Sequence, residues 1–339
     1  MSKLIELVSE QTSPLFRVMS VFNFDLPRKN FQNNIICSHI GQGYFISVAH
    51  NLRVDHGIPP SIPDDVFQNN FLGCFNGAER ADIESKFNLD AGRNKWIYSN
   101  SNSKEEKQIL KNKLNQCSYN TTFLESYNNG IAKPFIVIQF RNNQFYNSAP
   151  LTAQLTPNNY MYERNLNRHT FILELEIHHA SWKDDICIYK LVDQDPAIIA
   201  AIPSLEIDTS LYDGTEDAKI YCLQSSPTSS MGKLLNEARI EGISDHYSMQ
   251  NIFKPPYIHE GMRYLMMGYF RFGSSGAPYV NYNPEEQTAS VFGIQSEACP
   301  VQLSVGGKRD GNFQYTKAIV SPLNNIMDII NQINEPVVA

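Results

Sequence analysis

Long apolar runs are missing from this sequence. A transmembrane helix needs about 20 consecutive apolar residues, and charged or polar residues interrupt every apolar stretch of the 339-residue chain well before that length. Glu6, Glu10 and Arg17 interrupt the amino-terminal stretch, which therefore lacks the apolar core of a signal peptide. These absences predict a soluble, cytoplasmic protein that does not associate with membranes.

An excess of basic residues is also missing. The chain has 28 lysines and arginines against 35 aspartates and glutamates, which gives a formal net charge of −7. Proteins that hold nucleic acid neutralise its phosphates with clustered basic side chains. We therefore expect no nucleic-acid partner.

Motifs for nucleotide and metal binding are absent as well. The sequence contains neither a Gly-Lys-Ser/Thr phosphate loop nor a His-Glu-x-x-His pair, which are the usual signatures of nucleotide and zinc sites. His178 and His179 are adjacent, but neighbouring residues of a strand point to opposite faces and do not chelate one ion together. The sequence thus predicts no metal and no organic cofactor.

The six cysteines are widely spaced and form no Cys-x-x-Cys pair. Cys37, Cys187 and Cys222 lie in apolar, strand-like segments. This pattern favours free, buried thiols in a reducing compartment over a disulfide framework.

Short strand-like segments are abundant. They follow one another mostly without intervening helices, a pattern typical of all-β sandwiches and barrels. Residues 193–209 contain two prolines and are interpreted as a connector. The predicted strands are residues 34–40, 44–49, 134–140, 170–177, 186–191, 218–223, 238–243, 264–269, 277–282, 290–294 and 315–320.

Two regions depart from the strand pattern. Residues 54–130 are rich in Asn, Asp, Ser and Pro, which indicates an inserted, partly helical subdomain. Within it Ser103 and Glu106 form a capping box that predicts a helix over 103–117. A second helix is predicted at about 321–333, because a serine and a proline there precede apolar residues at helical spacing.

Residues 273–278 read Gly-Ser-Ser-Gly-Ala-Pro. A nucleophilic serine needs a tight turn that exposes its hydroxyl and aims backbone N–H groups at the developing oxyanion. The flanking glycines allow such a backbone path because they lack Cβ. Ser275 is therefore the candidate nucleophile, although Gly-Ser-Ser-Gly alone would also suit an ordinary turn.

Two further segments supply the partners of such a serine. His50 follows a short apolar strand, and imidazole is the usual general base near neutral pH. Asp185 directly precedes the apolar run 186–191, so it can orient the histidine ring from the start of a strand. The alternative is Asp184, which we expect to be a solvated neighbour.

In the order His, Asp, Ser, these segments resemble the motifs of the chymotrypsin-like (trypsin-like) serine peptidase family. Its Gly-Asp-Ser-Gly-Gly-Pro resembles residues 273–278, its Thr-Ala-Ala-His resembles 47–50, and its Asp-Ile-Ala-Leu-Leu-Lys-Leu resembles 185–191. Residues 291–296 resemble the strand that pairs with the substrate backbone in that family. The resemblance covers the histidine region and the chain from about residue 170 onward.

The resemblance implies an all-β fold of two antiparallel six-stranded barrels with the triad in the cleft between them. The first domain, residues 1–200, would carry His50, Asp185 and the insertion. The second domain, residues 201–339, would carry Ser275 and end in the predicted carboxy-terminal helix.

The resemblance also implies a serine endopeptidase acting on protein or peptide substrates. Ser275 would attack the scissile carbonyl, His50 would move the proton, and Asp185 would orient His50. The N–H groups of Gly273 and Ser275 would form the oxyanion hole.

Four residues are expected at the substrate. Tyr269, Gln295 and Ala298 would line the pocket for the residue before the cut, and Ser296 belongs to the strand beside the substrate. Since none of the pocket residues is acidic, the sequence gives no indication of a preference for Lys or Arg.

Ser274 replaces the aspartate that pairs with a freed amino terminus in secreted members of the family. We therefore expect an assembled oxyanion hole without amino-terminal processing, and a bacterial or intracellular branch of the family. Regulation would act through the insertion or a regulatory protein partner. Two alternatives remain open: an inactive protease-like binding or scaffold module, and a specialist peptidase or esterase dedicated to one partner protein.

Overall fold

The computed structural model describes residues 3–9, 11–22, 31–53, 87–90, 95–98, 123–128, 132–141, 144–146, 169–192, 195–212, 219–225, 233–251, 257–270, 274–305 and 308–334. The strands are β1 Leu15–Phe22, β2 Phe31–His39, β3 Tyr44–Ser47, β4 Phe87–Asp90, β5 Lys95–Tyr98, β6 Ala132–Arg141, β7 Gln144–Tyr146, β8 His169–Ser181, β9 Ile186–Leu191, β10 Glu206–Ile207, β11 Lys219–Ser225, β12 Lys233–Asn251, β13 Tyr257–Phe270, β14 Pro278–Asn283, β15 Thr288–Val305 and β16 Lys308–Pro322. The helices are α1 Lys3–Val8, α2 Phe123–Asn128, α3 Pro196–Ala201 and α4 Met327–Asn334, with 3-10 turns at His50–Arg53 and Leu323–Ile326.

The first sheet closes on itself. Its strand order is β1-β2-β3-β9-β8-β6-β7, and an additional pairing joins β1 to β6. All of these pairings are antiparallel. Six strands therefore form a barrel, and β7 extends it by three residues.

The second sheet closes in the same way. Its order is β10-β15-β14-β11-β12-β13-β16, and an additional pairing joins β15 to β16. Six antiparallel strands again form the barrel, while the two-residue β10 adds a parallel pairing to β15. The predicted fold class is confirmed: this is the two-barrel fold of the chymotrypsin-like peptidases.

The core is continuous along the strands next to the predicted triad. Every residue of β9 except Lys190 is buried, which shows that both faces of this strand are covered. Cys37, Cys187 and Cys222 are free and buried, as predicted. Burial raises the pKa of each thiol, that of Cys222 to about 12, so these cysteines behave as apolar core residues.

Strand β1 was not predicted, because Arg17 interrupts its apolar pattern. In the structure Arg17 is only 2 % exposed, and burial lowers the pKa of its guanidinium to about 10. The predicted connector 193–209 also contains regular structure, namely helix α3 and strand β10. Asp195 caps α3 by accepting the Ala197 N–H at 2.9 Å, and an aspartate followed by proline is a recognised helix start.

The carboxy-terminal helix begins later than predicted. Ser321 belongs to β16, where it pairs with Ile294, so it does not cap a helix. A 3-10 turn follows Pro322, and helix α4 then packs Ile330 and Ile333 into the core.

The helix predicted at 103–117 lies outside the described residues. In the described part of the insertion, β4 and β5 pair as an antiparallel hairpin and α2 follows them. No helix of the described chain is long and apolar enough to cross a membrane.

Candidate active site

His50 and Asp185 meet where two paired strands begin and end. β3 and β9 run antiparallel, with Ser47 opposite Cys187. The turn that follows β3 therefore lies beside the residue that precedes β9. One carboxylate oxygen of Asp185 accepts the backbone N–H of His50 at 2.7 Å, and the other lies 2.8 Å from His50 Nδ1.

The choice between Asp184 and Asp185 follows from the turn Ser181–Asp184. Asp184 bonds within this turn, accepting the Ser181 hydroxyl at 2.6 Å. Asp185 is fully buried and has a φ of 55°, a left-handed conformation that aspartate tolerates better than most residues. The structure thus places Asp185, and not Asp184, against His50.

The electrostatics of the pair favour a charged carboxylate. Burial lowers the pKa of His50, but the charge and hydrogen bond of Asp185, together with the charge of Glu297, offset this and raise it overall. Burial raises the pKa of Asp185, yet His50, His259 and the Ser296 hydroxyl more than compensate and lower it. Asp185 is therefore held ionised beside the imidazole.

Ser296 supports Asp185 from the second barrel. Its hydroxyl is buried and donates to the Asp185 oxygen that also faces His50 Nδ1. The side chain of Ser296 thus supports the carboxylate, and the expected place of its backbone beside the substrate stays a prediction. The bond joins β15 of the second barrel to the turn before β9 of the first.

A second imidazole lies near Asp185. His259 Nδ1 is 3.7 Å from Asp185 Oδ2 and 3.7 Å from Glu297 Oε1. Glu297 also accepts the Tyr247 hydroxyl at 3.0 Å. Burial lowers the pKa of His259, which favours a neutral ring beside the Asp185–His50 pair.

Strand β13 also holds the turn that carries Asp185. The Lys183 carbonyl accepts the Glu260 N–H at 3.0 Å and an Arg263 guanidinium N–H at 2.6 Å. Arg263 is itself buried. The position of the acidic residue is therefore fixed by both barrels.

The predicted nucleophile turn lies against the first barrel. Gly276 has a φ of 84°, and a Cβ at this position would come within 2.1 Å of the Ile36 carbonyl oxygen and 2.7 Å of Ser47 Oγ. The Ala277 N–H closes the turn on the Ser274 carbonyl at 2.9 Å. Ser275 is partly exposed, whereas both of its neighbours are buried.

One strand residue links this turn to the Asp185 pair. The Gly276 N–H donates to the Gln295 carbonyl at 3.0 Å, and the Gln295 N–H donates to the Ala277 carbonyl at 2.9 Å. The next residue on β15 is Ser296, which bonds to Asp185. The structure thus brings all three predicted triad segments to one junction between the barrels.

No protein-family model matches the chain, and no curated protein matches it. Solved structures are similar to it over almost its whole length. The active form of the Rv3671c protease from M. tuberculosis covers 97 % of this chain and 84 % of its own, at 10 % identity and a TM-score of 0.41. Deg5 covers 98 % and 94 %, at 6 % identity and a TM-score of 0.45.

A third similar structure is the HtrA-type protease AlgW with a decapeptide, which covers 98 % of this chain and 67 % of its own at 8 % identity and a TM-score of 0.42. Rv3671c and AlgW are described as proteases. The fold assignment of this chain rests on its own strand order and barrel closure.

The remaining predicted residues fall in three classes. Gly273 lies outside the described residues. Tyr269 and Ala298 lie on β13 and β15, where Ala298 pairs with Ala318. Gln295 is only 1 % exposed, and its side chain bonds inside the second barrel; its expected place in the pocket wall stays a prediction.

Sequence reasoning missed the residues that surround Asp185 from β13 and β15. His259, Arg263 and Glu297 carry no local motif, and they lie near the turn that carries Asp185 only because the two barrels pack together. In the described residues no group of three or more His, Cys, Asp or Glu is arranged to hold a metal ion.

Replacing Gly276 by alanine is expected to lower the free energy of unfolding by about 2–5 kcal/mol, because the new Cβ adds a backbone clash to the left-handed strain. Gly41→Ala is a matched control, since Gly41 has a φ of 99° and a Cβ added there would meet no atom within 4 Å. It should cost only about 1–2 kcal/mol. Equal losses in urea unfolding would show that the contact with Ile36 is not tight.

Proposed function

We propose that the protein is a serine endopeptidase in which Ser275, His50 and Asp185 form the catalytic triad. The observation that carries the proposal is the pair of hydrogen bonds between buried Asp185 and His50, one to the backbone N–H and one to Nδ1. This arrangement keeps the ring proton on Nδ1, so that Nε2 can accept a proton.

The reaction follows from these roles. Ser275 Oγ attacks the scissile carbonyl while its proton passes to His50 Nε2, and the N–H groups of Ser275 and Gly273 stabilise the oxyanion. His50 then donates the proton to the leaving amine, which forms an acyl-enzyme. Water, activated by His50, hydrolyses the ester and restores Ser275.

The proposed catalytic residues come from two domains. Residues 1–200 supply His50 and Asp185, and residues 201–339 supply Ser275. Substrates are proteins or peptides, and Tyr269 and Ala298 are proposed to border the pocket for the residue before the cut.

The test is covalent labelling with a fluorophosphonate, followed by mass spectrometry of the modified peptide. A single adduct on Ser275, together with cleavage of a peptide library, is the expected result. An unlabelled, correctly folded protein would favour the inactive binding module, and labelling without peptide cleavage would favour a specialist enzyme.

The labelling rate should rise with pH. His50 must be neutral to accept the proton of Ser275, and its pKa is raised above the ordinary 6.5. The rate should therefore be low at pH 6 and increase through a midpoint above 6.5. A midpoint below 6.5 would contradict an ionised Asp185 beside His50.

A further inference from the structure

The side chain of Gln295 connects the nucleophile turn to the core of the second barrel. Its Nε2 donates to Ser274 Oγ at 2.5 Å, and its Oε1 accepts the Tyr279 hydroxyl at 3.1 Å. The Cys222 thiol lies 3.8 Å from the same Oε1. All four residues are at most 3 % exposed, so these bonds are shielded from competing water.

The backbone of Gln295 holds the same turn at two more points. Its carbonyl accepts the Gly276 N–H, and its N–H donates to the Ala277 carbonyl. Gln295 therefore bonds to the turn before Ser275, through its side chain, and after Ser275, through its backbone. Because Ser274 is fixed inward by its side chain, the partly exposed Ser275 is the residue of the turn that remains available at the surface.

The hydrogen bond between Gln295 and Ser274 joins two neutral side chains. Ser274 carries no charge, and its partner is an amide, so no ion has to be desolvated to hold the turn. A buried hydrogen bond is costly to break on one side only, since the remaining partner is left unsatisfied. The turn is thus fixed by side chains that are all within one barrel.

We propose that Gln295 is a positioning residue that holds the Ser274–Ala277 turn in the conformation needed for attack by Ser275. The inference rests on the proposed peptidase function. Gln295 acts through Ser274 and through the backbone, and it does not itself contact the reacting atoms.

The first experiment compares Gln295→Met with Asn281→Leu. Both replace an amide by an apolar side chain of similar size in neighbouring strands of one sheet, but Asn281 donates to the Tyr212 hydroxyl, away from the turn. Active-site titration with a fluorophosphonate separates the fraction of folded sites from the labelling rate per site. We expect Gln295→Met to lower the rate per site and kcat by about tenfold to a hundredfold, with KM little changed, and Asn281→Leu to leave both rates unchanged.

The second experiment removes both partners of the bond. Ser274→Ala and Gln295→Met each remove one partner of the Gln295–Ser274 hydrogen bond and deprive the other partner of it, whereas the double variant removes both partners. The loss of the acceptor for the Tyr279 hydroxyl occurs in both variants that contain Gln295→Met, so it cancels in the comparison. The double variant should therefore be more active than the product of the single losses predicts. Strictly multiplicative losses, or a loss confined to the fraction of folded sites, would overturn the proposal.

A third measurement is independent of activity. In a Ser275→Ala background, Gln295→Met should speed hydrogen exchange of the Gly276 and Ala277 amides, and Asn281→Leu should not. If the unsubstituted protein fails to react with the probe, the peptidase proposal fails, while exchange still decides whether Gln295 holds the turn. Unchanged exchange in Gln295→Met would refute the positioning role.

Discussion

Replacing Ser275 by alanine should reduce kcat by about a million-fold and abolish fluorophosphonate labelling. The hydroxyl is the only group in the proposed mechanism that forms a bond to the substrate, so no neighbouring group compensates for its loss. The fold should persist, because Ser275 is partly exposed and the turn is held by Gly276, Ala277 and Gln295 through the backbone. Turnover, probe labelling and melting temperature give the three measurements.

The matched control is Ser244→Ala, which removes the same hydroxyl from an exposed position on β12. It should leave turnover and labelling unchanged. Retained turnover in Ser275→Ala, with an adduct mapped to another residue, would mean that the nucleophile has been misassigned and that the turn 274–277 is structural only.

The sequence allowed the elements next to the candidate site to be predicted well. β9 begins and ends where the apolar run 186–191 does, because this strand is covered on both faces and only Lys190 interrupts its apolar character. β3 and β14 were found within two residues of their observed bounds. Strand ends that carry His50 and Asp185 are thus visible as short apolar runs followed or preceded by one polar residue.

Elements with a buried charge were harder to predict. Arg17 in β1 and Arg263 in β13 are both almost completely buried, so charged residues stand at core positions of their strands. In a search for apolar strand patterns such a residue counts as a break, although the structure places it in the interior. β1 was missed for this reason, and β13 was predicted as only part of its length.

Contacts between the barrels other than those expected within the triad could not be predicted. Ser296 follows Asp185 by 111 positions, and Arg263 follows the Lys183 carbonyl that it binds by 80. Neither contact has a local pattern. Gln295 shows the same limit: the resemblance placed it in the pocket wall, and nothing in the sequence indicated that its side chain bonds to Ser274.

The second large expected effect is the loss of kcat when Asp185, and not its neighbour Asp184, is replaced by asparagine. Asp185 accepts the His50 backbone N–H with one oxygen, and its other oxygen faces both His50 Nδ1 and the Ser296 hydroxyl. An asparagine at this position has one oxygen and one NH₂ group, so it cannot accept on both sides. Asp184 has no such role, since its carboxylate bonds to Ser181 within the preceding turn.

Asp185→Asn should therefore lower kcat by about ten-thousand-fold. If the new NH₂ group faces His50 Nδ1, it forces the ring proton onto Nε2, and Nε2 then cannot accept the proton of Ser275. If it faces the backbone N–H of His50 instead, two donors oppose each other and the start of the 3-10 turn is displaced. The raised pKa of His50 should also fall, because burial continues to lower it while the charge of Asp185 is gone.

The control is Asp184→Asn, measured in the same way by kcat and by NMR titration of His50. It should change both kcat and the pKa of His50 little. A larger loss in Asp184→Asn than in Asp185→Asn would show that the carboxylate observed against His50 is not the one that orients it.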